Sequence, residues 1–169
     1  MERDHVADLA EQWARRRPEL ETEALQVAAR VFRLQRALSR SAAARLKEHE
    51  LNEGEFSVLA ALRRTDPPHE LTPTELHRAL LLSTGAMTHR LDRLERAGHV
   101  VRVPDVADRR RVTVRLTATG AEAVDRAMDA YTETLTKLLR VCDDEQREEL
   151  NRHLERLLWR LEADGHLGQ

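Results

Sequence analysis

Three consecutive arginines, Arg109, Arg110 and Arg111, follow Asp108 in a polar stretch that begins at Pro104. Guanidinium groups form paired hydrogen bonds with phosphate oxygens, and a narrow DNA minor groove concentrates the negative potential that attracts arginine. Asp108 is placed to hold one of these arginines by a charged pair. The chemistry that this cluster suits is the binding of a polyanion.

A second polar cluster lies upstream, at the start of a predicted helix. Its first residues, Ser83, Thr84 and Gly85, are small or hydroxyl-bearing, so a helix beginning there would fit closely into a groove. Hydroxyl and amide groups at a helix N-terminus also suit phosphate. Residues further along this helix, and one at the start of the preceding helix, are candidates for contacts with base edges or flanking phosphates. These additional DNA-binding candidates are Thr72, Thr88, His89 and Arg93.

Charge is distributed unevenly along the 169 residues, whose net charge is −2. Residues 71–120 carry 9 Lys/Arg and 5 Asp/Glu, a net charge of +4. Residues 1–70 have a net charge of −1 and residues 121–169 a net charge of −5. Because polyanion binding needs a local basic patch rather than a basic protein, the central segment is the candidate site.

The elements around these clusters follow from capping residues and periodicity. Thr72 as N-cap, Pro at the first helical position and Glu75 three residues after the cap predict a short helix ending near residue 80. A tight connection leads to a helix over 84–97, in which Met87, Leu91 and Leu94 are spaced to pack onto the core. Strands are predicted over 100–103 and 112–116. Two short helices followed by a β-hairpin with a basic tip form a winged helix-turn-helix.

Asn52, with Glu55 three residues later, predicts a capped helix start before Thr72, and Thr117 or Thr119 caps the helix that follows the hairpin. Long helices flank this segment, with apolar stripes at spacings of three and four. We therefore predict a mainly α fold with a small β-hairpin wing and with long N- and C-terminal dimerisation helices. The predicted division is into N-terminal dimerisation helices at 1–50, a winged helix-turn-helix DNA-binding domain at 51–117 and C-terminal dimerisation helices at 118–169.

The wing segment resembles that of the MarR family, whose signature is Asp, any residue, Arg, and then Leu-Thr after a short strand. Asp108, Arg110, Leu116 and Thr117 match this signature in register. The resemblance implies a homodimer that binds a palindromic operator in double-stranded DNA, usually as a repressor, and that leaves DNA when a small molecule binds. The predicted function is thus a ligand-responsive transcription regulator.

Four positions resemble the ligand site of the urate-responsive branch of that family, which has an extra N-terminal helix containing a tryptophan. Trp13 lies in such a predicted helix, and Arg90 and Arg102 match the branch's two arginines. Ser57 stands where the branch has an aspartate, which leaves more positive charge in the cleft. The resemblance with this departure implies a small organic anion as effector, held by the arginines through paired hydrogen bonds, with Trp13 closing one side. The alternative is that Trp13 anchors the N-terminal helix and that Arg90 binds phosphate or pairs with Asp92 or Glu95.

Other classes of function find less support in the sequence. No catalytic motif, cofactor-binding loop or close metal-ligand pair is visible, so we predict no enzyme, no cofactor and no metal site. Cys142 precedes three acidic residues that disfavour a reactive thiolate. The absence of a signal peptide or membrane span predicts a cytoplasmic location. A dimeric winged-helix adaptor that acts through protein contacts remains the alternative.

Overall fold

The computed structural model describes residues 3–80, 84–104 and 112–165. These residues form seven helices and one three-stranded sheet, so the predicted mainly α winged-helix fold is confirmed. The elements in chain order are α1 (His5–Arg16), α2 (Thr22–Lys47), α3 (Glu53–Arg63), β1 (Glu70–Leu71), α4 (Pro73–Leu80), α5 (Thr84–Arg96), β2 (Val100–Pro104), β3 (Val112–Leu116), α6 (Ala118–Leu139) and α7 (Asp144–Ala163).

The chain divides into two compact parts, Met1–Ser41 and Ala42–Gln169. In the first part, Asp4 caps α1 by accepting a hydrogen bond from the backbone N–H of Ala7. The Asp4 carboxylate also accepts hydrogen bonds from Arg30 of α2, at 2.9 and 3.1 Å. The Arg30 guanidinium holds the pKa of the Asp4 carboxyl below its usual range. A single aspartate therefore both starts α1 and attaches it to α2.

The second part is built around α3, whose residues Val58, Leu59 and Leu62 are fully buried. This helix packs against α6, where the rings of Phe56 and Tyr131 lie 5.0 Å apart between centroids. Side chains from α4, α5 and the sheet join the same core. Burial of such side chains from every neighbouring element stabilises the fold and holds α4 and α5 in fixed positions.

The sheet has the antiparallel order β1-β3-β2, with one strand more than the predicted hairpin. Strands β2 and β3 pair as predicted, with Val100 opposite Leu116 and Pro104 opposite Val112. The additional strand β1 pairs with Arg115 and Val114 of β3. It spans only two residues, which is too short for an alternating apolar pattern to reveal it.

Helices α3 and α6 begin at predicted capping residues. Asn52 and Glu55 form a reciprocal capping box at α3, and Thr117 caps α6. Within residues 3–80, 84–104 and 112–165, no helix combines the length and the apolar character that a membrane span requires.

Candidate nucleic-acid interface

Helix α5 is held on the core by one apolar stripe. Met87, Leu91 and Leu94 are 2%, 3% and 1% exposed, which confirms their predicted packing role. On the same helix, Thr88 and His89 are exposed to solvent. A fixed helix with a polar outer face is the arrangement that a helix-turn-helix reader requires.

The hydroxyl of Thr72 serves the start of α4. It donates to Glu75 Oε2 at 2.7 Å and accepts from the Glu75 backbone N–H at 3.2 Å. The backbone N–H of Thr72, which donates to the same carboxylate, is the main cause of a lowered Glu75 pKa. Thr72 therefore acts as the predicted N-cap, and its role as a DNA contact stays a prediction.

Arg93 of α5 forms an ion pair with Glu55 of α3, in which Nε lies 2.7 Å from Glu55 Oε1. The Glu55 side chain is only 4% exposed, whereas that of Arg93 is 60% exposed. Sequence reasoning identified Glu55 as a capping residue and missed this partner. The pair joins residues 38 positions apart in the sequence, and no local pattern reports such a contact.

Arg102 of β2 is bound to two carboxylates of α5. Its Nη2 donates to Asp92 at 2.6 Å and its Nη1 to Glu95 at 2.6 Å, while its backbone N–H donates to Glu95 at 3.2 Å. The hydrogen bond with Asp92 is the main cause of a raised Arg102 pKa. These contacts fasten the base of the wing to α5.

Arg90 lies against the start of α3. A Cβ atom built on Gly54 would be 2.2 Å from Arg90 Nε and 2.5 Å from its Cζ, so the guanidinium occupies the space that a side chain would need. Arg90 Nη1 is buried and has no hydrogen-bond partner among the described residues. The Ser57 hydroxyl, one turn further along α3, donates to the carbonyl of Glu53 at 2.7 Å.

The two predicted ligand arginines engage different sides of α5. Successive residues of an α-helix are about 100° apart around its axis, so Asp92 and Glu95 point away from Arg90. Arg102 lies with those two carboxylates, and Arg90 lies over Gly54 of α3. The structure therefore gives the two guanidinium groups separate surroundings.

A cavity of about 510 Å³ lies between α4, α5 and the strands β2 and β3. Apolar side chains supply much of its wall, and polar groups are provided by threonine, histidine and arginine. A concave, mainly apolar site with a few polar groups suits a small organic molecule. Residues lining it include Pro73, His77, Met87, Leu91, Arg102 and Val112.

The other predicted site residues lie on α1, at the start of α5 or outside the described ranges. Thr84 and Gly85 begin α5, and the Thr84 side chain lies outside the described part of the chain. Trp13 lies on α1 and is 47% exposed. Within the described ranges, no group of three or more His, Cys, Asp or Glu residues is arranged to hold a metal ion. The predicted residues outside the described ranges are Ser83, Asp108, Arg109, Arg110 and Arg111.

Comparison with known sequences identifies relatives of this chain. A sequence profile of the MarR family matches residues 49–111. The HTH-type transcriptional regulator PecS of Dickeya dadantii (strain 3937) is 32% identical over 157 residues, which cover 93% of this chain and 92% of PecS. The multiple antibiotic resistance protein MarR of Escherichia coli (strain K12) is 39% identical over 72 residues, covering 43% of this chain and 48% of MarR.

Solved structures show the same fold. A mutant of E. coli MarR complexed with operator DNA superposes with a TM-score of 0.70 and 26% identity, covering 82% of this chain and 98% of that chain. AbsC, a MarR family transcriptional regulator from Streptomyces coelicolor, gives a TM-score of 0.72 with 21% identity over 85% of this chain and 98% of its own. PecS and AbsC are transcriptional regulators rather than enzymes.

Proposed function

This chain belongs to the MarR family of winged-helix transcription regulators, and we propose that it is a cytoplasmic homodimer that binds a palindromic operator in duplex DNA. The observation that carries the proposal is the geometry of α5. Three apolar residues fix the helix on the core, while Thr88, His89 and Arg93 lie on exposed positions. The likeness to a MarR structure in complex with operator DNA supports the same role.

The test is selection of bound sequences from a random pool of DNA duplexes with the full-length protein. We expect a palindrome whose half-sites are about one helical turn, or 34–36 Å, apart. Binding to the selected duplex should weaken about a hundredfold from 50 to 200 mM salt if four phosphates are neutralised. Failure to enrich any sequence, together with a flat salt response, would favour the adaptor function.

Exposed apolar side chains on the terminal helices support the homodimer. In α7 no residue is buried, and Leu157, Leu158 and Trp159 are 46%, 48% and 66% exposed. Such a surface is typical of an interface with a second copy. Sedimentation equilibrium should give a dimer for the native chain, and Leu157→Glu should shift it toward monomer. Arg152→Ala, an exposed polar position on the same helix, serves as the matched control.

The proposed effector is a small organic anion that lowers DNA affinity, which makes the regulator a ligand-released repressor. Arg102 lines the cavity and offers a guanidinium to an acidic group, although Asp92 and Glu95 now occupy that guanidinium. An anion would therefore have to exchange with one of these carboxylates. The contacts that the resemblance implies at Trp13, Ser57 and Arg90 stay predictions of their own, because Arg90 and Arg102 have separate surroundings.

Calorimetry with a panel of aromatic carboxylates and purines tests the effector proposal. We expect at least one member to bind and to weaken operator binding, and Arg102→Ala to abolish both effects. Binding that is unchanged by Arg102→Ala would place the effector elsewhere, without affecting the proposal of DNA binding.

A further inference from the structure

We propose that Glu55, buried in α3, is a positioning residue that orients Arg93 of the recognition helix α5 for contact with DNA. This inference rests on the proposed function and assigns a role to a residue that is too buried to reach DNA itself. Nothing in the local sequence around Glu55 indicates the role, because its capping pattern already accounts for an acidic or amide side chain there.

The two oxygens of Glu55 have separate partners. Oε2 accepts a hydrogen bond from the backbone N–H of Asn52 at 3.0 Å, which completes the capping box. Oε1 lies 2.7 Å from Arg93 Nε. One carboxylate thus connects the first turn of α3 to the middle of α5.

The cap alone does not require a charged residue. At the start of α7 the same chain closes an equivalent box with Gln146, which accepts from the Asp143 backbone N–H at 3.1 Å. That box is exposed, whereas the Glu55 side chain is 4% exposed. Burial disfavours an ionised carboxylate unless a cation compensates it. The charge at position 55 is therefore explained by Arg93 rather than by the cap.

The contact leaves the arginine accessible. Arg93 is held through Nε, and its side chain remains 60% exposed. A long side chain that is free in solution loses rotamer freedom when it binds, at a cost of about 0.5–1.5 kcal/mol. Because Glu55 fixes the arginine before DNA binds, part of this rotamer freedom is already lost when the protein folds. The full rotamer cost corresponds to about a twofold to tenfold change in DNA affinity for each winged helix-turn-helix of the dimer.

The experiment measures binding of the full-length dimer to the duplex recovered by selection, with Glu55→Gln, Arg93→Ala and the double variant. The amide preserves the cap and removes the charge. We expect E55Q to weaken binding about fivefold or more and to lower the slope of log affinity against log salt, because Arg93 contacts phosphate less often. In the Arg93→Ala background, E55Q should have no further effect on affinity.

Asn52→Ala is the matched control, because it removes the side-chain half of the same capping box and leaves the Glu55–Arg93 pair in place. We expect it to lower the melting temperature without changing DNA affinity.

Three results would overturn the inference. The first is native DNA affinity in E55Q although Arg93→Ala binds DNA more weakly. The second is tighter DNA binding by E55Q. The third is an equal loss of DNA affinity from E55Q in the native and the Arg93→Ala backgrounds. If the native chain selects no duplex, the proposed function itself fails, and that result is distinct from all three.

Discussion

Gly54 gives a prediction in which two effects of similar size compete. In Gly54→Ala the new Cβ would lie 2.2 Å from Arg90 Nε and 2.8 Å from its Nη2, so the guanidinium must move. Those atoms belong to the end of a flexible side chain rather than to the backbone. We therefore expect Arg90 to swing away while α3 keeps its place.

The magnitude follows from three contributions. Alanine is favoured over glycine inside a helix by about 0.5–1 kcal/mol. Arg90 Nη1 is buried without a partner among the described residues, and such a group costs about 1–3 kcal/mol, which its release into water would recover. Loss of packing between the arginine stem and α3 opposes this gain and is of similar size. Because the two contributions from Arg90 nearly cancel, the preference of a helix for alanine decides whether stability rises or falls. G54A should therefore be more stable by roughly 0.5 kcal/mol.

Urea unfolding at one fixed protein concentration measures the effect, because the stability of a dimer depends on concentration. The matched background is Arg90→Ala, in which no guanidinium has to move and G54A should gain the helix contribution alone, about 0.5–1 kcal/mol. A loss of more than about 1 kcal/mol from G54A in both backgrounds would refute the reasoning, because the glycine would then be required by the α3 backbone itself. A loss in the native chain together with a gain in the Arg90→Ala background would show that moving Arg90 costs more than the helix contribution returns.

The remaining predictions concern the core and the start of α4. Leu94 is 1% exposed, so Leu94→Ala should cost about 2–5 kcal/mol in urea unfolding. Val101→Ala on the exposed side of β2, where the valine is 42% exposed, is its control and should cost about 0.5 kcal/mol. Hydrogen bonds from Thr72 lower the pKa of Glu75, so Glu75 stabilises the fold above its unfolded-state pKa, and the effect is lost as pH falls through the lower folded-state pKa. Urea midpoints from pH 7 down to acid should therefore fall less steeply in Glu75→Gln, and parallel curves would contradict the assignment.

Local signals in the sequence predicted most of the helices and strands that build the candidate nucleic-acid interface. The capping pairs Asn52–Glu55 and Thr72–Glu75 lie three residues apart, and the structure has both. The buried stripe of α5 follows from helical periodicity in the same way. Strand β1 was missed because its two residues are held by hydrogen bonding to β3, a partner more than forty positions away.

The ion pairs of α5 were beyond sequence reasoning for the same physical reason. Arg93 pairs with Glu55 across 38 positions, while Arg102 pairs with Asp92 and Glu95 across the turn that joins α5 to β2. Charge counting showed the net positive charge of residues 71–120 and did not reveal which charges are already compensated. That information requires the three-dimensional packing of α3, α5 and β2.

These pairs bear directly on how an effector would release DNA. Helix α5 carries three arginines and two acids, and Arg102 compensates both acids. If the proposed anion draws Arg102 into the cavity, Asp92 and Glu95 become unpaired carboxylates on the helix that faces phosphate. The carboxylates and the DNA phosphates carry like charges, and their repulsion would lower DNA affinity.

The combined variant Asp92→Asn and Glu95→Gln tests this mechanism, because it removes the negative charges that the effector would expose. We expect it to retain operator binding and effector binding, while the effector no longer weakens operator binding as it does in the native chain. Operator titrations with and without the effector measure the difference, and the matched control is Glu122→Gln, an exposed acid on α6. A native effector response in the combined variant would show that release does not depend on the charges of Asp92 and Glu95.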